Sequence, residues 1–163
     1  MSNYFISHYQ SPIGLIEIKS KDEKICSVLF IEPTNSLLES DNKVNQECIS
    51  QLQAYFNGTL THFNLPTEQS GTPFQNKVWN ELLKIEYGST TTYLEIAKKL
   101  GDEKSVRAVG TCNGKNQLLI LFPCHRVIGS NGNLTGYAGG LKRKEWLLKH
   151  EIKFSKVKEG RLF

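Results

Sequence analysis

Between Leu65 and Gly71 the chain reads LPTEQSG, a polar stretch with a proline and a glycine, and its two sides are patterned differently. Before it, the β-rich runs YFISHYQ, GLIEIKS and ICSVLFIE are separated by the turn signals Ser11-Pro12-Ile13-Gly14 and Lys21-Asp22-Glu23-Lys24. Short runs of this kind joined by tight turns predict an antiparallel meander. One helix follows in ECISQLQAYFNG, where Ile49, Leu52 and Phe56 share a face and Gly58 stands where a left-handed C-cap would end it. After the polar stretch, apolar residues recur at helical spacing. Strands followed by helices predict an α+β protein in two modules, residues 1–70 and 71–163.

The charge divides at the same place. The 163 residues carry a net charge of +4, but residues 1–70 hold 4 Lys/Arg against 8 Asp/Glu, and residues 71–163 hold 16 against 8. The basic half is a candidate for a polyanionic partner, because clustered Lys and Arg displace counterions from a phosphate backbone. A solvated basic face is the alternative. With 39% hydrophobic and 22% charged residues, the chain reads as globular and able to bury a core. No run approaches the roughly 20 apolar residues of a membrane span. The opening MSNYFISHYQ lacks the basic and apolar regions of a secretory signal, so we expect an intracellular, cytoplasmic protein with no membrane contact. Cys26, Cys48, Cys112 and Cys124 follow neither a disulfide-scaffold nor a zinc-ligand spacing, which predicts free thiols and no metal.

The second module carries explicit helix starts. Thr72-Pro73-Phe74-Gln75 combines an N-cap, proline at the first helical position and Gln three residues after the cap, ahead of Phe74, Val78, Leu82 and Ile85. Thr92-Tyr93-Leu94-Glu95 repeats the capping pattern before IAKKL, and Gly101 closes that helix. A third helix is predicted from Asp102 as N-cap through EKSVRAVGTCN, with small Ala97 available for the crossing. Two short helices around a glycine turn make a helix-turn-helix pattern, whose second helix would meet DNA; a helical hairpin packed for stability is the plainer reading. LLILFP, residues 118–123, is too short and too β-like for a helix and predicts a strand leading into Cys124. The loop GSNGNLTGYAGG precedes a helix in LKRKEWLLKHE, where Glu145 and Lys149 form a surface pair. The last twelve residues, IKFSKVKEGRLF, read as a basic tail.

Cys124 is followed directly by His125 and Arg126. A reactive cysteine needs thiolate character, which a base or positive charge nearby supplies. In an extended chain adjacent side chains point to opposite faces, so a turn or a bridging water would have to connect thiol and imidazole. A carboxylate normally holds such an imidazole in one tautomer. Glu151, at the end of the predicted helix, is the best candidate, and Glu145 the weaker because of Lys149. Against this stands a small cysteine buried at a strand end.

Pro123-Cys124-His125-Arg126-Val127, with Gly136-Tyr137 and Lys144-Glu145-Trp146-Leu147-Leu148-Lys149-His150-Glu151, resembles the active-site region of the O6-alkylguanine-DNA alkyltransferases, or methylated-DNA–protein-cysteine methyltransferases. The likeness runs upstream through Arg107-Ala108-Val109-Gly110 and Thr92-Tyr93 to Phe74. It implies a ribonuclease-H-like N-terminal module with antiparallel strands and a mainly helical, winged-helix-like C-terminal module that binds DNA and accepts the alkyl group. It implies direct-reversal DNA repair, with Cys124 attacking the carbon on guanine O6 in line, His125 taking the thiol proton through a water, and Glu151 steadying the imidazolium. Arg107 would fill the stack in place of the extruded base, and Tyr93 would press on the phosphate and help protonate the leaving group. Tyr137, Ser130 and the backbone around Val127 and Ala138 would line the guanine pocket, while Asn116 would brace the turn behind the recognition helix.

The implied partner is double-stranded DNA containing O6-alkylguanine, entered from the minor groove, with O4-methylthymine a second substrate to test. No cofactor is implied, the protein would be a monomer without DNA, and each molecule would react once, its alkylated form less stable. Gln117 and Leu119 stand where the family commonly has proline, which puts the stiffness of that loop in question. Two other readings compete. A non-catalytic helix-turn-helix sensor of alkylated DNA would be expected to lack the cysteine, and a cysteine hydrolase usually takes its histidine from a distant segment.

Overall fold

The computed structural model describes residues 3–33, 37 and 39–158, with the backbone alone for 156–158. The chain forms two compact units, Met1–Gln69 and Ser70–Phe163. In the first, β1 (Phe5–Ser11), β2 (Gly14–Lys21) and β3 (Lys24–Phe30) make an antiparallel sheet in the order β1-β2-β3. Asp22 and Glu23, at φ 51° and 63°, make the two-residue turn between β2 and β3, the left-handed pair that matches strand twist. Ile16, Ile18 and Ser20 alternate inward along β2. A register shift after Lys19 pairs Ser27 with Lys19 but Ile25 with Ser20. That bulge lets Ile25 and Val28, three residues apart, both face the core.

Helix α1 (Lys43–Phe56) buries Cys48, Leu52, Tyr55 and Phe56 in this core. It begins earlier than its apolar pattern suggested, because Asn42 caps it and accepts from the Asn45 amide at 2.9 Å. Ile49 is only half-buried, and Cys48 and Tyr55 take the inner positions. Gly58, at φ 83°, follows the helix end.

The second unit opens with α2 (Pro73–Leu82), whose capping box is complete: the Gln75 amide donates to Thr72 Oγ1 at 3.1 Å and the Thr72 amide to Gln75 Oε1 at 2.9 Å. Strand β4 (Thr91–Thr92) leads into α3 (Tyr93–Lys99), where Thr92 Oγ1 accepts from the Glu95 amide at 3.1 Å. Asp102 caps a 3-10 turn, Glu103–Ser105, rather than the helix itself, and α4 (Val106–Gly114) begins after it. Trp79 Nε1 donates to the Cys112 carbonyl at 2.9 Å and ties α2 to α4. Strand β5 (Val127–Ile128) pairs in parallel with β4, and α5 (Leu141–Lys158) closes the unit.

Two expectations about this unit need correction. Leu118 makes a single bridge, and the residues after it form turns, not a strand. The Phe122 amide bonds the Leu118 carbonyl at 2.9 Å and the Leu121 amide the Leu119 carbonyl at 2.8 Å, so the run bonds largely within itself. Ile120 adopts φ 72°, and Leu118 to Leu121 are all buried. The run is apolar because it is enclosed, not because it is extended. The expected tail is helical as far as Lys158, while residues 159–163 lie outside the described region. Its continuation follows a ladder of rings one turn apart, with Trp146 stacked on His150 at 4.8 Å and Phe154 beyond at 4.7 Å. Among the described residues no helix is long and apolar enough to cross a membrane.

Candidate active site

Cys124, His125 and Arg126 lie on a buried 3-10 turn between the 118–123 loop and β5. The turn, not an extended backbone, sends the three side chains apart. Cys124 is 2% exposed, and its Sγ receives a hydrogen bond from Asn116 Nδ2 at 3.2 Å, not from His125. The same amide donates to the carbonyls of Phe122 at 2.9 Å and Leu118 at 3.4 Å, while Asn116 Oδ1 accepts from the Leu118 amide at 3.0 Å. In place of prolines at 117 and 119, this side chain holds the loop. Asn113, in the last turn of α4, donates to the Cys124 carbonyl at 3.4 Å.

Burial pushes the Cys124 thiol up to about 11, against the lowering effects of the Asn116 hydrogen bond and the Lys144 charge. Burial thus favours the protonated sulfur. Ionisation has to be coupled to removal of the proton.

The acceptor for that proton is adjacent. His125 is fully buried, and its Nε2 meets Glu151 Oε2 at 2.7 Å. An ionised carboxylate only accepts, so Nε2 carries a hydrogen; Nδ1 is the nitrogen that can take up or release a proton. Nδ1 has no hydrogen-bond partner among the described residues.

Glu151 is itself enclosed, yet four donors hold it. Arg126 Nε reaches Oε1 at 2.7 Å and Nη2 reaches Oε2 at 3.1 Å, while the Gly88 amide approaches Oε1 at 3.4 Å. Gly88 sits at φ 80°, and an added Cβ would lie 2.6 Å from Ser155 Oγ. Arg126 Nη1 is fixed on the Ile85 carbonyl at 2.6 Å. Burial works to raise the Glu151 pKa, but His125 and Arg126 together hold the carboxyl well below the usual carboxylate range. Because α5 runs seven residues beyond it, Glu151 is mid-helix and not at the helix end, and feels little of the terminal dipole.

The other sequence candidates occupy different surroundings. Tyr93, half-buried at the start of α3, accepts at its hydroxyl from Thr135 Oγ1 at 3.1 Å. Tyr137 stands edge-on to the His125 ring at 6.4 Å with a buried hydroxyl, which burial and the charges of Cys124 and Glu151 push well above the ordinary tyrosine range. Val127 is buried; Arg107, Ala108, Ser130 and Ala138 are exposed. Arg126 and Lys144 were not singled out as site residues from sequence. Their signal was there in the charge itself, a cation inside an otherwise fixed motif, but only burial reveals it.

Fold and site together define a protein that joins two short helices across a glycine turn to a buried thiol, next to an imidazole that is held by a carboxylate and a guanidinium. Residues 73–153 match a family model described as the 6-O-methylguanine DNA methyltransferase DNA binding domain, and residues 5–69 its ribonuclease-like domain. A methylated-DNA–protein-cysteine methyltransferase of Methanosarcina acetivorans is 46% identical over 88% of this chain and 95% of its own length. The crystal structure of Mycobacterium tuberculosis O6-methylguanine methyltransferase superimposes with a TM-score of 0.84 at 39% identity, covering 93% of this chain and 94% of that one. A second structure of the mycobacterial protein, in complex with DNA, gives 0.82 at 40% identity over 90% and 92%. This chain belongs to the 6-O-methylguanine DNA methyltransferase family.

Proposed function

We propose that the protein repairs DNA by direct reversal, moving the alkyl group of O6-alkylguanine irreversibly to its own Cys124. The observation that carries this reading is the imidazole of His125, pinned to Glu151 on one side and with an unengaged nitrogen on the other, next in sequence to a buried thiol. His125 Nδ1 takes the thiol proton through a bridging water. The sulfur lone pair forms the S–C bond as the C–O6 bond breaks, and the electrons of that bond go to the purine. The proton then returns to the guanine, restoring its N–H. Nothing external is consumed, and the thioether left on Cys124 ends the activity of that molecule.

Residues around the thiol take the remaining tasks. The nucleotide must leave the stack before sulfur can reach it; Arg107, exposed on α4, fills the gap from the minor groove, and Tyr93 engages the phosphate and helps protonate the leaving purine. Tyr137, Ser130 and the backbone at Val127 and Ala138 form the purine pocket, and Asn116 braces the loop under the sulfur. The second unit binds DNA and accepts the alkyl group, and the first is structural. The protein acts inside the cell, as a monomer until it meets DNA. The relative solved in complex with DNA supports the partner class.

Intact-mass measurement after incubation with a duplex containing O6-methylguanine tests the reading. A gain of one methylene per molecule, absent in Cys124→Ala, is expected. Unchanged mass with retained duplex binding would instead mark a non-catalytic sensor.

A further inference from the structure

Lys144 is fully enclosed, and alkyl transfer as described leaves it without a task. Lysine is almost never buried unless paired, and a cation in the first turn of a helix opposes the helix dipole. Among the described residues no carboxylate is paired with it. Instead Nζ spends all three hydrogens on main-chain carbonyls: Val127 at 2.7 Å, Thr135 at 2.6 Å and Gly136 at 3.3 Å. Val127 directly follows the turn that bears the thiol, and Thr135 and Gly136 directly precede Tyr137. One ammonium thus fastens together both ends of the loop that bounds the purine pocket. The same nitrogen lies 5.9 Å from the Tyr93 ring centroid, and Thr135 bonds the Tyr93 hydroxyl, so α3 is held to the same point.

We propose that Lys144 is a positioning residue for alkyl transfer: its ammonium fixes the pocket loop to Val127 and supplies the positive charge that steadies the forming thiolate of Cys124. The inference rests on the alkyl-transfer reading of Cys124. Among the described groups around the ammonium, the Tyr93 ring of α3 lies 5.9 Å away, the Cys124 thiol sits on the adjacent 124–126 turn and interacts with its charge, Tyr137 follows on the loop, and Arg143 and Glu145 are its sequence neighbours on α5. Burial pushes Lys144 down to about 8, against an upward pull from Cys124. Once neutral, the amine has two hydrogens for three carbonyls, and the sulfur loses its cation.

The consequence separates function from stability. An exposed lysine in the unfolded chain holds its proton to 10.5, so above about 8 the unfolded state binds the extra proton at this group and folding gains from it as pH rises, until the buried thiols, whose pKa is raised from 9.0, begin to oppose it. Ordinary thiol chemistry also speeds up with pH. Transfer should nonetheless fall.

The test is the single-turnover rate of methyl transfer from an O6-methylguanine duplex across neutral and alkaline pH, with thermal unfolding followed in parallel. For the wild type we expect the rate to drop about tenfold per pH unit above the Lys144 titration, with no loss of melting temperature between about pH 8 and 9, below the range in which the buried thiols oppose folding. Lys144→Arg, which keeps its charge, should postpone the drop, and Lys144→Met should be at least about tenfold slower at neutral pH with no inflection. A wild-type rate that holds or climbs above pH 8, or Lys144→Met matching the wild type at neutral pH, overturns the inference while leaving alkyl transfer intact. Absence of transfer by the wild type at every pH overturns both.

Discussion

His8, on β1 of the first unit, meets Glu39 through Nδ1 at 3.0 Å and Glu17 through Nε2 at 3.3 Å; His125, in the second, meets Glu151 through Nε2 at 2.7 Å, and its buried Nδ1 has no hydrogen-bond partner among the described residues. The residue types are the same. What differs is the enclosure and the company of the carboxylates. Glu39 is 56% exposed, so water can replace it at little cost, whereas Glu151 is sealed and bound twice by Arg126. A histidine with both nitrogens engaged is a tie between chain segments. A histidine with one engaged and one spare, beside a thiol, is a candidate base. The guanidinium makes the second arrangement tenable, because it neutralises a carboxylate that could not otherwise stay ionised in the interior.

The sharpest way to break this contrast is to remove the guanidinium. Arg126→Met leaves Glu151 buried without its cation, and breaking a buried pair from one side should cost about 3–5 kcal/mol in denaturant unfolding. A loss as small as that of a surface pair would mean that Glu151 is solvated in solution. A second probe uses acid. The Glu151 pKa is lowered in the fold relative to the unfolded chain, so its contribution is present above the usual glutamate range and is lost as pH falls below it, where the unfolded state binds the extra proton. Unfolding followed at decreasing pH should show this loss, and Glu151→Gln should lower stability at neutral pH and flatten the acid dependence. The smallest effect belongs to the first unit: Glu39→Gln should change stability by about 0–1 kcal/mol, less at high salt. A larger cost would mean that the His8 cluster is as closed as that of His125.

Much of this arrangement is legible in the chain because local chemistry wrote it. Thr72 and Gln75 are three residues apart and answer each other's amides, the Asp22-Glu23 turn joins strands adjacent in sequence, and Glu145 meets Lys149 across one helical turn at 2.9 Å. The errors share the opposite property. LLILFP has the composition of a strand, yet its hydrogen bonds go to itself and to Asn116, which no propensity registers. The helix at residues 152–158 looked like a basic tail because its support is a ring ladder begun at Trp146.

By itself the sequence determined the division at LPTEQSG, the capped helices, the order of Cys124, His125 and Glu151, and the family, since each depends on neighbours within a few turns or on residue identity alone. Only the tertiary structure decided that burial pushes the thiol pKa up, that Arg126 pairs with Glu151, and that Lys144 spends its charge on carbonyls. Desolvation is the reason: whether a charge is held, shared or given up depends on how much water surrounds it, and no local run of residues specifies that.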